Sequence, residues 1–301
     1  MMITIFGATG FIGKELVQYL VENNYPVNVV TRNTIKAKTL FSQSVKVYDF
    51  TYNTLLELIN KSDAVINLAG ENISSGLWTK SQKQKIITSR VNTGNLITQL
   101  CIKAANKPGI LIQASAIGYY GYNINSTCNE ESSKGTGFLS DVCEQWENST
   151  RDVVNYGINR IIIRTGVVFG KNGGILPKLL KPFRYNIGAI IGRGQNYISW
   201  IHIQDEIRAI EFLIKNQHLS GAFNLTAPTP VKMEEIIENI SRKYNKPILF
   251  SIQERVLKFF LGDLAKEMLL ASQQVLPDKL MNEGFRFNFE TMDSALTDLL
   301  N

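Results

Sequence analysis

Histidine and cysteine are scarce in this chain, and each shortage removes a class of function. Two histidines, His202 and His218, cannot build a histidine-rich metal site, so no metal is expected. Cys101, Cys128 and Cys143 fit no metal-ligand or redox spacing, which points to reduced thiols and a cytoplasmic setting. No apolar run approaches the roughly 18 residues of a membrane helix, and no basic segment precedes the first apolar stretch, so neither a membrane span nor a signal peptide is expected. Repeats and low-complexity tracts are missing too. The net charge of +6 and pI near 9.1 are basic, yet the lysines are scattered, Lys80, Lys83 and Lys85 being the densest group. Without a basic stripe or an aromatic platform, that charge suits weak attraction for phosphorylated ligands and argues against nucleic acid as a partner. At 301 residues and 44% hydrophobic, the chain can bury the core of one large domain or two smaller ones.

What is present begins at the first residues. Apolar Met2–Phe6 runs into Gly7-Ala-Thr-Gly10-Phe-Ile-Gly13, followed by an amphipathic stretch from Lys14 to Leu20. A strand, a turn with glycines three apart and a helix form a dinucleotide-binding fingerprint. Gly7 permits the turn, Gly10 lets the backbone approach a pyrophosphate, and Gly13 lets helix pack on strand. The helix N-terminus supplies N–H donors for the anion. Gly7, Thr9, Gly10, Phe11, Ile12 and Gly13 are the expected cofactor contacts here. An ordinary glycine-rich loop is the plainer reading, and the strand-turn-helix context weighs against it.

The second strand, Pro26–Thr31, should reveal which dinucleotide. NAD sites usually end this strand with an acid that binds the ribose 2′-OH. No acid lies between Val27 and Lys36; Thr31 and Arg32 stand there, with Lys36 and Lys38 nearby. A guanidinium can bind a 2′-phosphate bidentately, so NADP(H) is expected in preference to NAD(H). The alternative is that Arg32 is a solvated surface charge. Asp49, after a third strand at 44–50, falls where an adenine contact would form. A fourth strand, Ala64–Gly70, brings Leu68, Ala69, Gly70 and Glu71 to the cofactor edge.

Strand and helix alternate through the first half, which predicts an α/β fold: a Rossmann-type doubly wound parallel sheet with a smaller C-terminal substrate or cap lobe. A long helix is expected at 81–106, a fifth strand at 109–115, a helix at 138–155 and a single sixth strand at 159–170. The later pattern is looser, with a strand at 197–205 entering a helix at 206–215, a strand at 221–227 and a helix at 231–244. A helical region at 250–274 carries Val256, Phe259, Phe260, Leu264 and Met268 as an apolar stripe, expected to pack the cap lobe. The nucleotide-binding domain is placed at 1–170 and 199–228, and the smaller lobe at 171–198 and 229–301.

These pieces resemble the extended short-chain dehydrogenase/reductase superfamily of nucleotide-sugar epimerases and dehydratases. The matching residues are the three glycines, Asn67-Leu-Ala-Gly70, Asn92 in Arg90-Val-Asn-Thr-Gly-Asn-Leu, Arg164–Gly170, Ile201–Asp205 and Phe223-Asn-Leu. Glu71-Asn72, Gly118-Tyr-Tyr120, Gly173-Gly174, Pro182-Phe183, Trp200-Ile-His202, Pro277 and Gly284-Phe285 are similar to one atypical branch, the YfcH-like, SDR39U1-type epimerase family. The resemblance implies hydride exchange with a nicotinamide and a family-specific C-terminal domain. It also implies a Tyr-x-x-x-Lys pair, in which the lysine binds the nicotinamide ribose and lowers the tyrosine pKa. Aligned on Glu147, Leu139 takes the tyrosine place and Cys143 the lysine place, and Ala116 takes the usual Ser/Thr place beside Ser115.

Other residues must then do any chemistry. Ser115, Tyr120 and Glu71 are the candidate catalytic groups. Ser115 equally suits a backbone-satisfying role at a strand end, and a tyrosine without a lysine keeps a pKa around 10. Glu71 can titrate if desolvated, anchor ribose hydroxyls or simply cap the next segment. His202 is a candidate acid–base group, although its apolar neighbours suit a structural histidine better. Arg164 either buttresses the sheet end or binds a substrate anion; Gly173-Gly174 and Lys178 either hold a phosphate or form a hinge. The sequence therefore predicts an NADP(H)-binding epimerase- or oxidoreductase-like protein acting on an unknown small, sugar-like or carbonyl substrate. The alternative is a non-catalytic NADPH-binding regulator or sensor.

Overall fold

The computed structural model describes the backbone of residues 1–301 and every side chain except that of Asn125. The first half alternates strand and helix: β1 (Ile3–Phe6), α1 (Phe11–Glu22), β2 (Val27–Val30), α2 (Thr34–Leu40), β3 (Lys46–Tyr48), α3 (Tyr52–Ile59), β4 (Ala64–Asn67), α4 (Lys80–Lys103) and β5 (Ile110–Ala116). A 3-10 turn over Ile117–Tyr120 leads to β6 (Asn123–Cys128), α5 (Phe138–Asn148) and β7 (Asn159–Thr165). There follow β8 (Val167–Gly170), β9 (Gly173–Gly174), α6 (Leu176–Phe183), β10 (Gly188–Ile191), β11 (Tyr197–Ile198), β12 (Trp200–His202), α7 (Ile203–Lys215) and β13 (Gly221–Leu225). The C-terminal part holds β14 (Val231–Lys232), α8 (Met233–Tyr244), β15 (Ile248–Ile252), α9 (Glu254–Leu261), β16 (Ser272–Val275), α10 (Asp278–Asn282) and α11 (Met292–Leu300).

Seven parallel strands form the central sheet in the order β13-β7-β5-β4-β1-β2-β3. Every residue of β1, β2 and β4 is buried, as expected of strands covered on both faces. One apolar cluster joins α1 and α7 to the sheet and takes in Leu280, Phe285 and Phe287 from near the C-terminus. A second covers the other face with α3 and α4. A third, around Trp200, Phe169 and Phe183, joins α6, α8 and α11. The strand order reverses between β1 and β4, so the carboxyl ends of those two strands flank the crevice where ligands bind in such sheets.

Four expected elements differ. The strand predicted at 159–170 breaks at Gly166, where a Cβ would stand 2.8 Å from the Ser199 carbonyl oxygen. Only glycine passes there, and the chain leaves the main sheet to pair as β8 with β12 and β9. The helix predicted at 138–155 ends at Asn148 and continues as 3-10 turns over Arg151–Tyr156. The Ser149 hydroxyl there bonds back to the Trp146 carbonyl. The strand expected to reach Asp205 stops at His202, whose ring nitrogen caps α7 by accepting from the Gln204 N–H. The predicted 250–274 helix divides into β15, α9, a wide turn at Ala265–Leu269 and β16. Gly262, at φ +54°, turns the chain so that Leu264 enters the core while α9 buries no residue at all. The apolar stripe thus faces solvent at Val256, Phe259 and Phe260, against the expected packing of a cap core.

Candidate functional site

The glycine loop joins β1 to α1 at the switch point. Gly7 has φ +81°, and a Cβ on it would lie 2.6 Å from the backbone of Leu68 and Ala69, so the loop and the β4 extension touch. A Cβ on Gly13 would meet the Ala8 Cα at 2.6 Å, which is the helix-on-strand contact its position predicts. Gly10 is exposed and caps α1 with no side chain. The first intrahelical donor is Lys14 N–H to Gly10, which leaves the N–H groups of Phe11, Ile12 and Gly13 outside the helix ladder. No acid stands in the first turn, so the positive helix end is uncompensated. Thr9 is half-buried on the same loop. Phe11 has a packing role: Cβ atoms on Gly170 and Gly173 would lie 2.4 and 2.2 Å from its ring. Those glycines, with Gly174, seat Phe11, while Lys178 bonds the Ser74 hydroxyl at 2.7 Å.

At the end of β2, Thr31 is buried and its hydroxyl accepts from the Asn33 N–H. Arg32 is exposed and has no protein partner among the described residues. Asp49 accepts the Thr51 N–H at 3.0 Å, ahead of α3, and this backbone bond lowers its pKa. After β4, buried Asn67 bonds Gln113 and accepts the Ala69 N–H, which steers Leu68–Glu71 along the sheet edge. Glu71 is fastened by its backbone, its N–H to the Ser89 hydroxyl at 2.9 Å and its carbonyl to Arg90 Nη1 at 2.9 Å. Its carboxylate receives only a long bond from Ser75, at 3.4 Å.

Ser115 and Tyr120 are not free to act on a substrate as expected. Register sets Ser115, Arg164 and Asn224 side by side on β5, β7 and β13. The Ser115 hydroxyl donates to Glu147 at 2.7 Å, and Arg164 clamps the same carboxylate through Nε and Nη2 at 2.9 and 3.0 Å. Arg164 also donates to the Tyr120 hydroxyl at 3.0 Å, which in turn donates to Asn224 at 2.8 Å. The guanidinium lies 3.5 Å from the centre of the Tyr119 ring. Burial pushes Tyr120 up to about 12 despite Arg164, moving it further from useful acid–base chemistry. Arg164 therefore buttresses the sheet end. His202 is structural as well: it is buried, stacked on Phe289, and Nε2 lies 3.2 Å from Asp298 without hydrogen-bond alignment. Burial lowers its pKa.

The three positions aligned with the superfamily's chemistry do meet in space. Cys143 Sγ lies 3.6 Å from the Ala116 carbonyl, and Gly118 is pressed against Leu139. Burial raises the Cys143 thiol to about 11, so it stays neutral. Three further groups escaped the sequence reading. Arg90 packs under Gly70, a contact that the Arg90-Val-Asn92 motif does not signal in sequence. Glu206 is buried, with one oxygen on the Thr165 hydroxyl at 2.8 Å and the other unpartnered. Glu267 crosses from the C-terminal part to accept the Phe138 and Leu139 N–H groups at 2.9 and 2.8 Å. No sequence signal marks Glu267, because its partners are backbone atoms far along the chain.

A concavity of about 610 Å³ lies beyond Tyr120, lined by Tyr122, Ile124, Cys128, Ser132 and Thr136 among others. It does not include the glycine loop, where the unpaired backbone donors are, and those donors rather than volume locate the site. Among the described residues, no cluster of three or more His, Cys, Asp or Glu is arranged for a metal, and no helix is long and apolar enough to cross a membrane.

The model of the NAD dependent epimerase/dehydratase family matches residues 3–226. The chain belongs to that family. A domain of unknown function, DUF1731, matches residues 254–299. The chain is 33% identical to the chloroplastic epimerase family protein SDR39U1 homolog of Arabidopsis thaliana, over 100% of this chain and 87% of that one. It superposes on the crystal structure of human epimerase family protein SDR39U1 (isoform 2) with NADPH, with a TM-score of 0.88, 26% identity and 99% of each chain covered. UDP-glucuronic acid 4-epimerase from Bacillus cereus, in complex with UDP-glucuronic acid and NAD, shares the fold at 17% identity, with a TM-score of 0.81 over 100% of this chain and 99% of that one. This epimerase/dehydratase family member is thus an atypical extended short-chain dehydrogenase/reductase with a Rossmann-like sheet.

Proposed function

We propose that the protein binds NADP(H) along the carboxyl edge of its sheet and acts as an epimerase- or oxidoreductase-like protein on a small sugar-like or carbonyl substrate. The observation that carries this is the open loop at Gly7–Gly13 beside an exposed, unpaired Arg32 with no acid on the β2 end. The residues fit the group: Gly10 has no side chain in the approach path, and the free N–H groups of Phe11–Gly13 suit a pyrophosphate. Arg32 and Thr31 suit a 2′-phosphate, and the relative crystallised with NADPH supports the same preference. Bound there, NADP(H) would supply hydride chemistry. Glu71 is the titratable side chain left at the edge, while Ser115 and Tyr120 would position the β5 end from within. Substrate would lie between a nucleotide-binding domain at 1–170 and 199–228 and a lobe at 171–198 and 229–301. Three buried free cysteines accord with a reducing, cytoplasmic setting.

A second reading, a non-catalytic NADPH-binding sensor, is favoured by one observation: the only serine and tyrosine proposed for chemistry are held in a closed internal network. Titration of wild type and Arg32→Ala with NADPH, NADP+, NADH and NAD+ tests the cofactor claim. NADPH affinity is expected to fall about tenfold in the variant, with NADH unaffected, the size of one charge-assisted contact. A wild-type preference for NADH would overturn it. Turnover across a panel of carbonyl compounds then separates enzyme from sensor.

A further inference from the structure

We infer that Arg90 is the cation that grips the nicotinamide-side ribose, a role that rests on the NADP(H) reading above. Arg90 rises from α4 against the β4 extension, where a Cβ on Gly70 would lie 2.9 Å from its Cζ. Glycine at position 70 is therefore what lets the guanidinium reach the sheet edge. Its Nη1 is fixed by the carbonyls of Glu71 and Ile86 at 2.9 and 3.1 Å, and its plane lies over the Trp146 ring, 4.7 Å from the centre. Nε and Nη2 have no protein acceptor among the described residues, and neither is a buried orphan atom, so both reach accessible space. A guanidinium held on one side with two donors free on the other is set up to bind paired oxygens.

Topology assigns the end of the dinucleotide. A molecule lying across the glycine loop has one half over β2, where Arg32 stands, and the other over β4 and β5. Arg90 lies on the second side, against Gly70 beyond β4 and beside Cys143 and Trp146 of α5, and Cys143 in turn touches the Ala116 carbonyl at the end of β5. Burial lowers the proton affinity of Arg90, and the Cys143 thiol and the Glu71 carboxylate beside it oppose that effect. Of these two neighbours Glu71 is the one that carries charge, since the Cys143 thiol stays neutral. Cys143 occupies the place aligned with the superfamily's lysine, so the chain carries a cation into the same neighbourhood from α4 instead of α5.

The test compares NADPH with adenosine 2′,5′-bisphosphate, which carries the phosphorylated adenosine half and lacks the nicotinamide ribose. Both are titrated calorimetrically into wild type, Arg90→Met and Gly70→Ala. Arg90→Met is expected to weaken NADPH about tenfold and leave the bisphosphate unchanged. Gly70→Ala, whose new Cβ displaces the guanidinium, should repeat the pattern, and Arg90→Lys should recover part of the loss. Retained bisphosphate binding shows that the variant's nucleotide site is folded. Equal weakening of both probes, or of neither, overturns the assignment. If wild type binds neither probe, the NADP(H) reading itself fails and takes this role with it.

Discussion

A buried carboxyl group with a single hydrogen bond holds its proton, and Glu206 is in that position. Burial pushes it up to about 8 from an ordinary 4.5, against the modest opposing effect of the Thr165 hydroxyl. Between those values the folded chain binds a proton that the unfolded chain has lost. Stability therefore falls as pH rises through the window, by up to about 1.4 kcal/mol per pH unit, and levels off on either side. Glu206→Gln keeps the shape and removes the titration. It is expected to match wild type near pH 4.5 and to exceed it in Tm by pH 8. Thermal unfolding across that range checks this, and parallel curves for the two proteins would contradict it. The neighbouring Glu147–Arg164 pair shows the other way to bury charge, each ion fully hydrogen-bonded by its partner or by Ser115 and Tyr120.

At the level of the element, α5 begins without a cap of its own. Gly137 precedes it at φ +119° and has no side chain to offer. The Glu267 carboxylate fills that role from 129 residues away, in contact with the first turn. Such a cap is worth about 1–2 kcal/mol, toward the upper end because the acceptor is charged. Glu267→Ala is expected to destabilise the protein by that amount and to speed amide exchange at 138–142 and 265–270, leaving α1 unaffected. Unchanged protection at the start of α5 would show that the carboxylate does not hold the helix. Because α5 carries Leu139 and Cys143, the same contact ties the C-terminal part to the edge of the proposed substrate cleft.

For the molecule as a whole, the third apolar cluster and the exposed stripe of α9 are opposite outcomes for similar-looking sequence. Trp200 is fully buried at the centre of that cluster, whereas Phe259 and Phe260 are 83% and 67% exposed. Replacing both phenylalanines by serine is expected to move stability by no more than about 0.5 kcal/mol per site. Trp200→Ala should cost about 3–5 kcal/mol. Chemical denaturation of the two variants makes the comparison, and a large loss in the phenylalanine variant would mean that α9 is packed. What places α9 outside is Gly262, which reverses the chain before Leu264 and Ala265 enter the core.

The chain's own order of residues determined the nucleotide-binding half. The glycine loop, the acid-free end of β2 and the alternation of strand and helix are local features, since neighbouring φ, hydrogen-bond donors and side-chain periodicity act over a few residues. Tertiary structure decided the rest. Ser115 and Tyr120 look available in sequence, yet Glu147, Arg164 and Asn224 reach them from three other elements and turn both hydroxyls inward. Arg90 reads as part of a helical motif until Gly70 is seen to make room for it. Where a side chain points depends on what a distant segment leaves unpaired, because buried polar groups must find partners wherever the fold supplies them.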